Sequence, residues 1–130
     1  MKQEGIAPDV ARTVDDCGMV EGVVVISFSF DTVAAMRGLR PVMATGWLTA
    51  QIDPSAIDGM ISRCLAHGIP VISAYHGVVT PAVVERCRLR GITLYAWTID
   101  DLDEVRRYAA MGVDVIASNR PAEARQALVA

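Results

Sequence analysis

A strand–helix–strand unit in residues 91–121 constrains the fold more than any other stretch of this chain. The stretch reads GITLYAWTIDDLDEVRRYAAMGVDVIASNRP. Apolar strands are predicted over residues 93–98 and 113–117, and the helix between them opens on carboxylates and ends at a glycine. Two strands joined by one crossover helix lie parallel and become buried on both faces. We therefore expect a parallel sheet covered by helices.

Earlier stretches repeat the same alternation. Strands are predicted over residues 23–30, 42–47 and 70–75. The helices after them are predicted to begin with a capping residue, which is Asp31, Asp53 before Pro54, and Thr80 before Pro81. One further helix precedes the first strand, and another begins at Pro121. The pattern predicts a single α/β domain over residues 1–130. It fits either five strands of a TIM barrel or a five-stranded doubly wound sheet, two folds that differ in strand order.

Composition narrows the classes of function. The chain is 52% hydrophobic and 21% charged with a net charge of −3, which predicts a globular protein without a nucleic-acid surface. The longest apolar run, residues 23–30, is too short to span a membrane, and the first residues do not resemble a signal peptide. Cys17, Cys64 and Cys87 are an odd, widely spaced set, which predicts small core residues in a reducing compartment. We expect a cytoplasmic location.

Three blocks of sequence resemble a known family. They are SFD at residues 29–31, GITLYAWTID at residues 91–100, and GVD followed by ASNRP over residues 112–121. In order and spacing the blocks are similar to the C-terminal part of the glycerophosphodiester phosphodiesterase family, whose members are TIM barrels. The resemblance implies that this chain corresponds to the fourth to eighth strands of the barrel.

The resemblance also implies an activity and its requirements. Family members hydrolyse glycerophosphodiesters to glycerol 3-phosphate and an alcohol, with a divalent metal such as Ca²⁺ or Mg²⁺ and a pair of histidines. The motifs that carry these groups are HRG with PENT, E-x-D, a later HD and I-E-x-K, and none of them occurs here. His67 and His76 lie in AHG and YHG, which match none of these motifs. We expect no catalytic residue, no metal ligand and no cofactor in this chain, and no activity from it alone.

Three residues are candidates for substrate binding. The resemblance implies that Trp97 forms part of the wall that receives the glycerol moiety and that Phe30 lines the same mouth. Arg120 precedes the last helix, where barrels often bind phosphate, so it is a candidate for holding the phosphodiester. The alternative is a surface arginine beside a helix cap provided by Asn119. The family pattern has Asn where this chain has Asp100 and Asp where it has Asn119.

The remaining polar residues have simpler structural readings. His76 follows the third strand at the functional rim, where an imidazole could transfer protons, but no partner is evident from the sequence. His67 is interpreted as structural, in the last turn of a helix. Four carboxylates cluster at one helix start and are interpreted as helix caps rather than a metal site: Asp100, Asp101, Asp103 and Glu104.

A partial barrel leaves two strand edges open, here residues 23–30 and 113–117. Open apolar edges pair readily with other chains. A second hypothesis is therefore a non-catalytic partial barrel that forms a homo-oligomer or binds a partner supplying the missing strands. A third is a small doubly wound binding or regulatory module.

Overall fold

The computed structural model describes residues 1–3 and 5–129. Within these residues, five strands alternate with helices, and one α-helix precedes the first strand. The helices are α1 (Ala7–Asp16), α2 (Phe30–Leu39), α3 (Ile57–Ala66), α4 (Pro81–Arg90), α5 (Leu102–Met111) and α6 (Pro121–Val129). The strands are β1 (Val24–Ser27), β2 (Ala44–Thr49), β3 (Val71–Tyr75), β4 (Thr93–Trp97) and β5 (Val115–Ile116). A short 3-10 helix, His76–Val78, follows β3. No helix among the described residues has the length and apolarity to cross a membrane.

The strands form one parallel sheet in the order β1-β2-β3-β4-β5. Each strand therefore lies beside the strand that precedes it in sequence, as in a barrel. A doubly wound sheet would reverse direction at a switch point. The order confirms the prediction of a partial barrel and excludes the doubly wound alternative.

The sheet is strongly curved. The rings of Phe28, directly after β1, and Trp97, at the end of β4, have centroids 6.0 Å apart. On a flat sheet these strands would be about 14 Å apart, three times the usual interstrand spacing of about 4.8 Å. The two side chains meet because the sheet bends around its concave face, as the wall of a barrel does.

The convex face carries the main hydrophobic core. Ile72 and Leu94 from the central strands are fully buried against apolar side chains of α3, α4 and α5. A second, smaller cluster joins α1 to β1 and α2 through Val25, Met36 and Met43. These helices cover one face of the sheet, so the opposite, concave face is where side chains remain available to other molecules.

Glycine permits close packing on the concave face. Gly46 in β2 lies in register with Ile26 of β1 and Val71 of β3. A Cβ atom at Gly46 would lie 3.0 Å from Ile26 Cγ2 and 3.0 Å from both Cβ and Cγ1 of Val71. The neighbouring side chains therefore occupy the space that a side chain at position 46 would need.

The first strand ends earlier than predicted, at Ser27 rather than Phe30. Ser29 provides the reason, because its hydroxyl accepts a hydrogen bond from the amide of Thr32 and so starts α2 at Phe30. The prediction that Asp31 caps this helix was wrong. Asp31 is the second residue of α2 and its side chain is almost fully exposed.

The third helix begins later than predicted. Asp53 Oδ1 accepts hydrogen bonds from the amide and the hydroxyl of Ser55, at 2.9 and 2.7 Å. This side chain therefore stabilises a turn before the helix rather than capping it, and α3 begins at Ile57. The predicted cap at Thr80 is confirmed, since its side chain accepts a hydrogen bond from the amide of Val83.

The last strand is also shorter than predicted, because Asp114 bonds to β4 through its side chain. Its Oδ2 accepts a hydrogen bond of 2.8 Å from the amide of Leu94, and its own amide donates to the Leu94 carbonyl at 3.1 Å. Regular strand geometry is then limited to Val115–Ile116. The aspartate of the GVD block thus fixes the edge strand to its neighbour.

The cysteines differ from one another in burial. Cys64 and Cys87 are buried in the main core, as predicted, and burial raises the pKa of each thiol to about 11. The prediction for Cys17 was wrong, because it follows α1 and is exposed. All three are free thiols.

Candidate functional site

Aromatic side chains converge where the strands end. Trp97 contacts Phe28, with their ring planes at 87°, and Tyr75, whose ring centroid lies 5.7 Å away. Phe28 is 51% exposed and Tyr75 is 40% exposed, whereas Trp97 is half-buried between them. Large apolar side chains left accessible at the carboxyl end of a parallel sheet are typical of a ligand-binding surface. We call these three residues the rim aromatic cluster.

The indole of Trp97 is held in one orientation. Its Nε1–H donates a hydrogen bond of 3.1 Å to the carbonyl oxygen of Ser73 in β3. This bond satisfies the polar edge of the ring, so the rest of the indole is available for apolar contact. The structure therefore brings Trp97 to the edge of the sheet where we predicted it to receive a ligand.

His76 is fixed beside Trp97. Its Nδ1 lies 3.1 Å from the carbonyl oxygen of Trp97, and its ring contacts that of Tyr75, with centroids 4.5 Å apart and planes tilted by 55°. The hydroxyl of Tyr108 in α5 donates a 2.8 Å hydrogen bond to the His76 carbonyl. The partner that the sequence did not reveal is thus the backbone of the neighbouring strand.

A hydrogen-bonded carboxylate joins the loops after β4 and β5. Asp100 Oδ1 accepts from the hydroxyl of Ser118 at 2.9 Å and from the amide of Asn119 at 2.7 Å. Its Oδ2 accepts from the side-chain amide of Asn119 at 2.9 Å. The hydrogen bond from the Asn119 side chain, with those from the Asn119 backbone and Ser118, lowers the pKa of Asp100. The helix-capping interpretation of Asp100 was wrong, because Asp101 is the cap of α5.

Arg120 lies on the surface at the start of α6. Its guanidinium forms an ion pair with Glu123, with Nε 3.1 Å from Oε1, and both side chains are half-exposed. Its backbone amide donates to the hydroxyl of Ser118 at 3.0 Å. A phosphate ligand would therefore compete with a glutamate already in place.

Phe30 lies in a different environment from the rim aromatic cluster. It is 6% exposed and its ring contacts Trp47 and His67, each at a centroid distance of 5.0 Å. The guanidinium of Arg63 covers one of its faces, 3.8 Å from the ring centroid. The predicted ligand contact of Phe30 stays a prediction, while Phe28 is the exposed aromatic residue that sequence reasoning missed. The sequence did contain a signal for Phe28. It follows Val24 and Ile26 at a spacing of two residues, which places the three side chains on the same, concave face.

The acidic residues before α5 have separate structural roles. Asp101 caps the helix by accepting from the amides of Asp103 and Glu104, which confirms that part of the interpretation. Asp103 and Glu104 form ion pairs with arginines one helical turn later. In the part of the chain that the structure describes, no group of three or more His, Cys, Asp or Glu residues could hold a metal ion. The divalent metal implied by the resemblance therefore has no fitting donor set there.

Comparison with known proteins decides the family. The model of the glycerophosphoryl diester phosphodiesterase family matches residues 1–123. The chain belongs to this family. Its SFD, WTID and SNRP blocks lie at strand ends or in the loops and helix starts that follow the strands.

Relatives that carry the family's name match nearly all of the chain. It is 34% identical over 122 residues to glycerophosphodiester phosphodiesterase GDPD4 of Arabidopsis thaliana, spanning 93% of this chain and 36% of that protein. It is 24% identical over 119 residues to a glycerophosphodiester phosphodiesterase of Caldanaerobacter subterraneus, spanning 90% of this chain and 46% of that protein. The chain thus spans between about a third and a half of the length of these family members.

Solved structures of family members share the fold. A glycerophosphodiester phosphodiesterase from Parabacteroides distasonis superposes with a TM-score of 0.80 at 23% identity, over 98% of this chain and 55% of that one. An Oleispira antarctica phosphodiesterase, solved with the product sn-glycerol-3-phosphate, superposes with a TM-score of 0.83 at 16% identity, over 98% and 52%. These superpositions agree with a partial barrel.

Proposed function

We propose that this chain forms the glycerol-receiving wall of a glycerophosphodiester phosphodiesterase site. The observation that carries the proposal is the rim aromatic cluster, in which Trp97 of the WTID block lies between two exposed rings. Aromatic faces suit the carbon–hydrogen face of a glycerol moiety. The product bound to the Oleispira antarctica phosphodiesterase, sn-glycerol-3-phosphate, is the probe of choice.

We expect Arg120 to bind the phosphate, with its guanidinium releasing Glu123 and pairing with the ligand instead. Arginine binds phosphate through paired hydrogen bonds, and α6 begins beside it. Arg120→Gln should weaken glycerol 3-phosphate binding, and Glu123→Gln should strengthen it by removing the competing carboxylate. If neither substitution changes the dissociation constant measured by calorimetry, Arg120 has no part in the site.

We propose further that the chain does not hydrolyse glycerophosphodiesters by itself. The proposal is supported by the missing HRG, PENT, E-x-D and HD motifs and by the lack of a metal donor set in residues 1–3 and 5–129. Hydrolysis would need carboxylates and histidines supplied from outside this chain. The test is to incubate the purified chain with glycerophosphocholine and Ca²⁺ or Mg²⁺ and to assay glycerol 3-phosphate. Turnover above that of a Trp97→Ala variant would refute the proposal.

A second candidate function is association through the uncovered sheet. Val24 and Val115, on the two edge strands, are exposed apolar residues. Within the described ranges, β1 and β5 each pair with one strand, so neither has a strand on its other side. We propose a homo-oligomer, and the alternative partner is a chain that supplies further strands. Light scattering at high protein concentration tests the homo-oligomer, and Val115→Lys should shift it towards monomer.

A cytoplasmic location is part of the same proposal. It is supported by three cysteines that remain free thiols, as expected in a reducing compartment. Fractionation of cells producing the tagged chain would test it.

A further inference from the structure

The structure determines which nitrogen of the His76 imidazole donates a hydrogen bond at the rim. A carbonyl oxygen can only accept, so the contact of 3.1 Å between Nδ1 and the Trp97 carbonyl requires a proton on Nδ1. In the neutral imidazole, Nε2 then carries the lone pair. The backbone bond therefore makes Nε2 a hydrogen-bond acceptor.

Nε2 is available to a ligand. It has no hydrogen-bond partner among the described residues. Nε2 is also not fully buried. Among the described residues, the one fully buried side-chain polar atom without a hydrogen-bond partner is Thr45 Oγ1. The ring is held between Tyr75, at 4.5 Å, and Tyr108, at 5.8 Å, so its orientation is fixed before any ligand arrives.

We propose that His76 recognises the glycerol moiety by accepting a hydrogen bond from one of its hydroxyl groups at Nε2. The proposal rests on the proposed glycerol-receiving function of the rim. Trp97 covers the apolar face of the moiety, and His76, bonded to the Trp97 backbone, accepts from a hydroxyl beside it. An acceptor that loses its hydroxyl partner is penalised, so this residue selects glycerol over alkyl groups. His76 is then a specificity-determining residue of the site.

The test compares two ligands that differ in hydroxyl groups. Calorimetry measures the binding of sn-glycerol 3-phosphate and of n-propyl phosphate to the intact chain. One hydrogen bond predicts that the wild type prefers glycerol 3-phosphate by about fivefold. His76→Asn keeps a donor near the Nδ1 position but removes Nε2, so the preference should fall to about one. His76→Gln places an amide oxygen near the Nε2 position and should restore part of the preference.

The matched control is His67→Asn. The Nδ1 of His67 also lies within hydrogen-bond distance of a backbone carbonyl oxygen, 2.9 Å from that of Arg63. Its ring, however, contacts Phe30 rather than the rim aromatic cluster. This variant should keep the wild-type preference. An unchanged preference in His76→Asn would overturn the role of His76. The proposed function would still stand if the indole N–H signal of Trp97, followed by NMR, shifts when ligand is added. If the wild type binds neither ligand, both proposals are refuted.

Discussion

The close packing at Gly46 gives a prediction whose size follows from the structure. A Cβ atom there would lie 3.0 Å from three side-chain carbons, whereas carbon atoms prefer separations of about 3.5–4.0 Å. Overpacking of this kind costs about 1–3 kcal/mol. Replacing glycine by alanine also restricts the unfolded chain, which offsets about 0.4–1 kcal/mol. We expect Gly46→Ala to lower the free energy of unfolding by about 1 kcal/mol, and Gly46→Val to lower it by more.

Urea unfolding followed by tryptophan fluorescence measures the effect. With a typical slope of about 2 kcal/mol per molar urea, the midpoint of Gly46→Ala should fall by about 0.5 M. Gly59 is the matched control, because it lies inside α3 and an added Cβ would meet no atom within 4 Å beyond its chain neighbours and the backbone of α3 itself. Gly59→Ala should raise stability by about 0.5–1 kcal/mol. If both alanine variants are stabilised alike, the concave face is not closely packed around Gly46.

Three further predictions follow from individual contacts. Because its hydrogen bonds lower the pKa of Asp100, its contribution to stability is full above the ordinary Asp pKa of about 3.9 and is lost as pH falls through the lowered value. Asp100→Asn should therefore flatten the dependence of the free energy of unfolding on pH at acid pH. Adding Asn119→Asp, which exchanges the two side chains, should restore that dependence in part. Equal pH dependence in the wild type and in Asp100→Asn would contradict this. Ser29→Ala removes the cap on the Thr32 amide and should cost about 1 kcal/mol in chemical unfolding, and a cost near zero would rule out the cap. Leu94→Ala empties a fully buried position and should cost about 2–5 kcal/mol in the same assay, so a smaller loss would place Leu94 outside the core.

The alternation of apolar runs with helix signals predicted the order and type of every described strand and α-helix. It did not predict where the elements begin, because competing side-chain bonds decide that locally. Ser29 rather than Asp31 caps α2, and Asp53 stabilises a turn instead of starting α3. Pattern alone also left two folds open, and the strand order decided between them.

The candidate site was only partly predictable. Trp97 was found because it stands at a strand end inside a family block. The pairing of Asp100 with Asn119 joins residues 19 positions apart. Its signal in the sequence was that the two positions exchange the Asn and the Asp of the family pattern, and that exchange was not interpreted as a contact. The contact of Phe28 with Trp97 depends on the curvature of the whole sheet. Contacts of this kind are set by tertiary structure. The sequence alone therefore suggested that Asp100 caps a helix.

The most direct test of the proposed function is an NMR titration of the intact chain with sn-glycerol 3-phosphate, following the indole N–H signals of its two tryptophans. Trp97 lies in the rim aromatic cluster, whereas Trp47 packs on Phe30 and donates to the Phe28 carbonyl at 3.2 Å. We expect a saturable shift of the Trp97 signal and a much smaller one at Trp47. A titration that leaves Trp97 unchanged, or shifts both signals alike, would contradict a glycerol-receiving wall at this edge of the sheet.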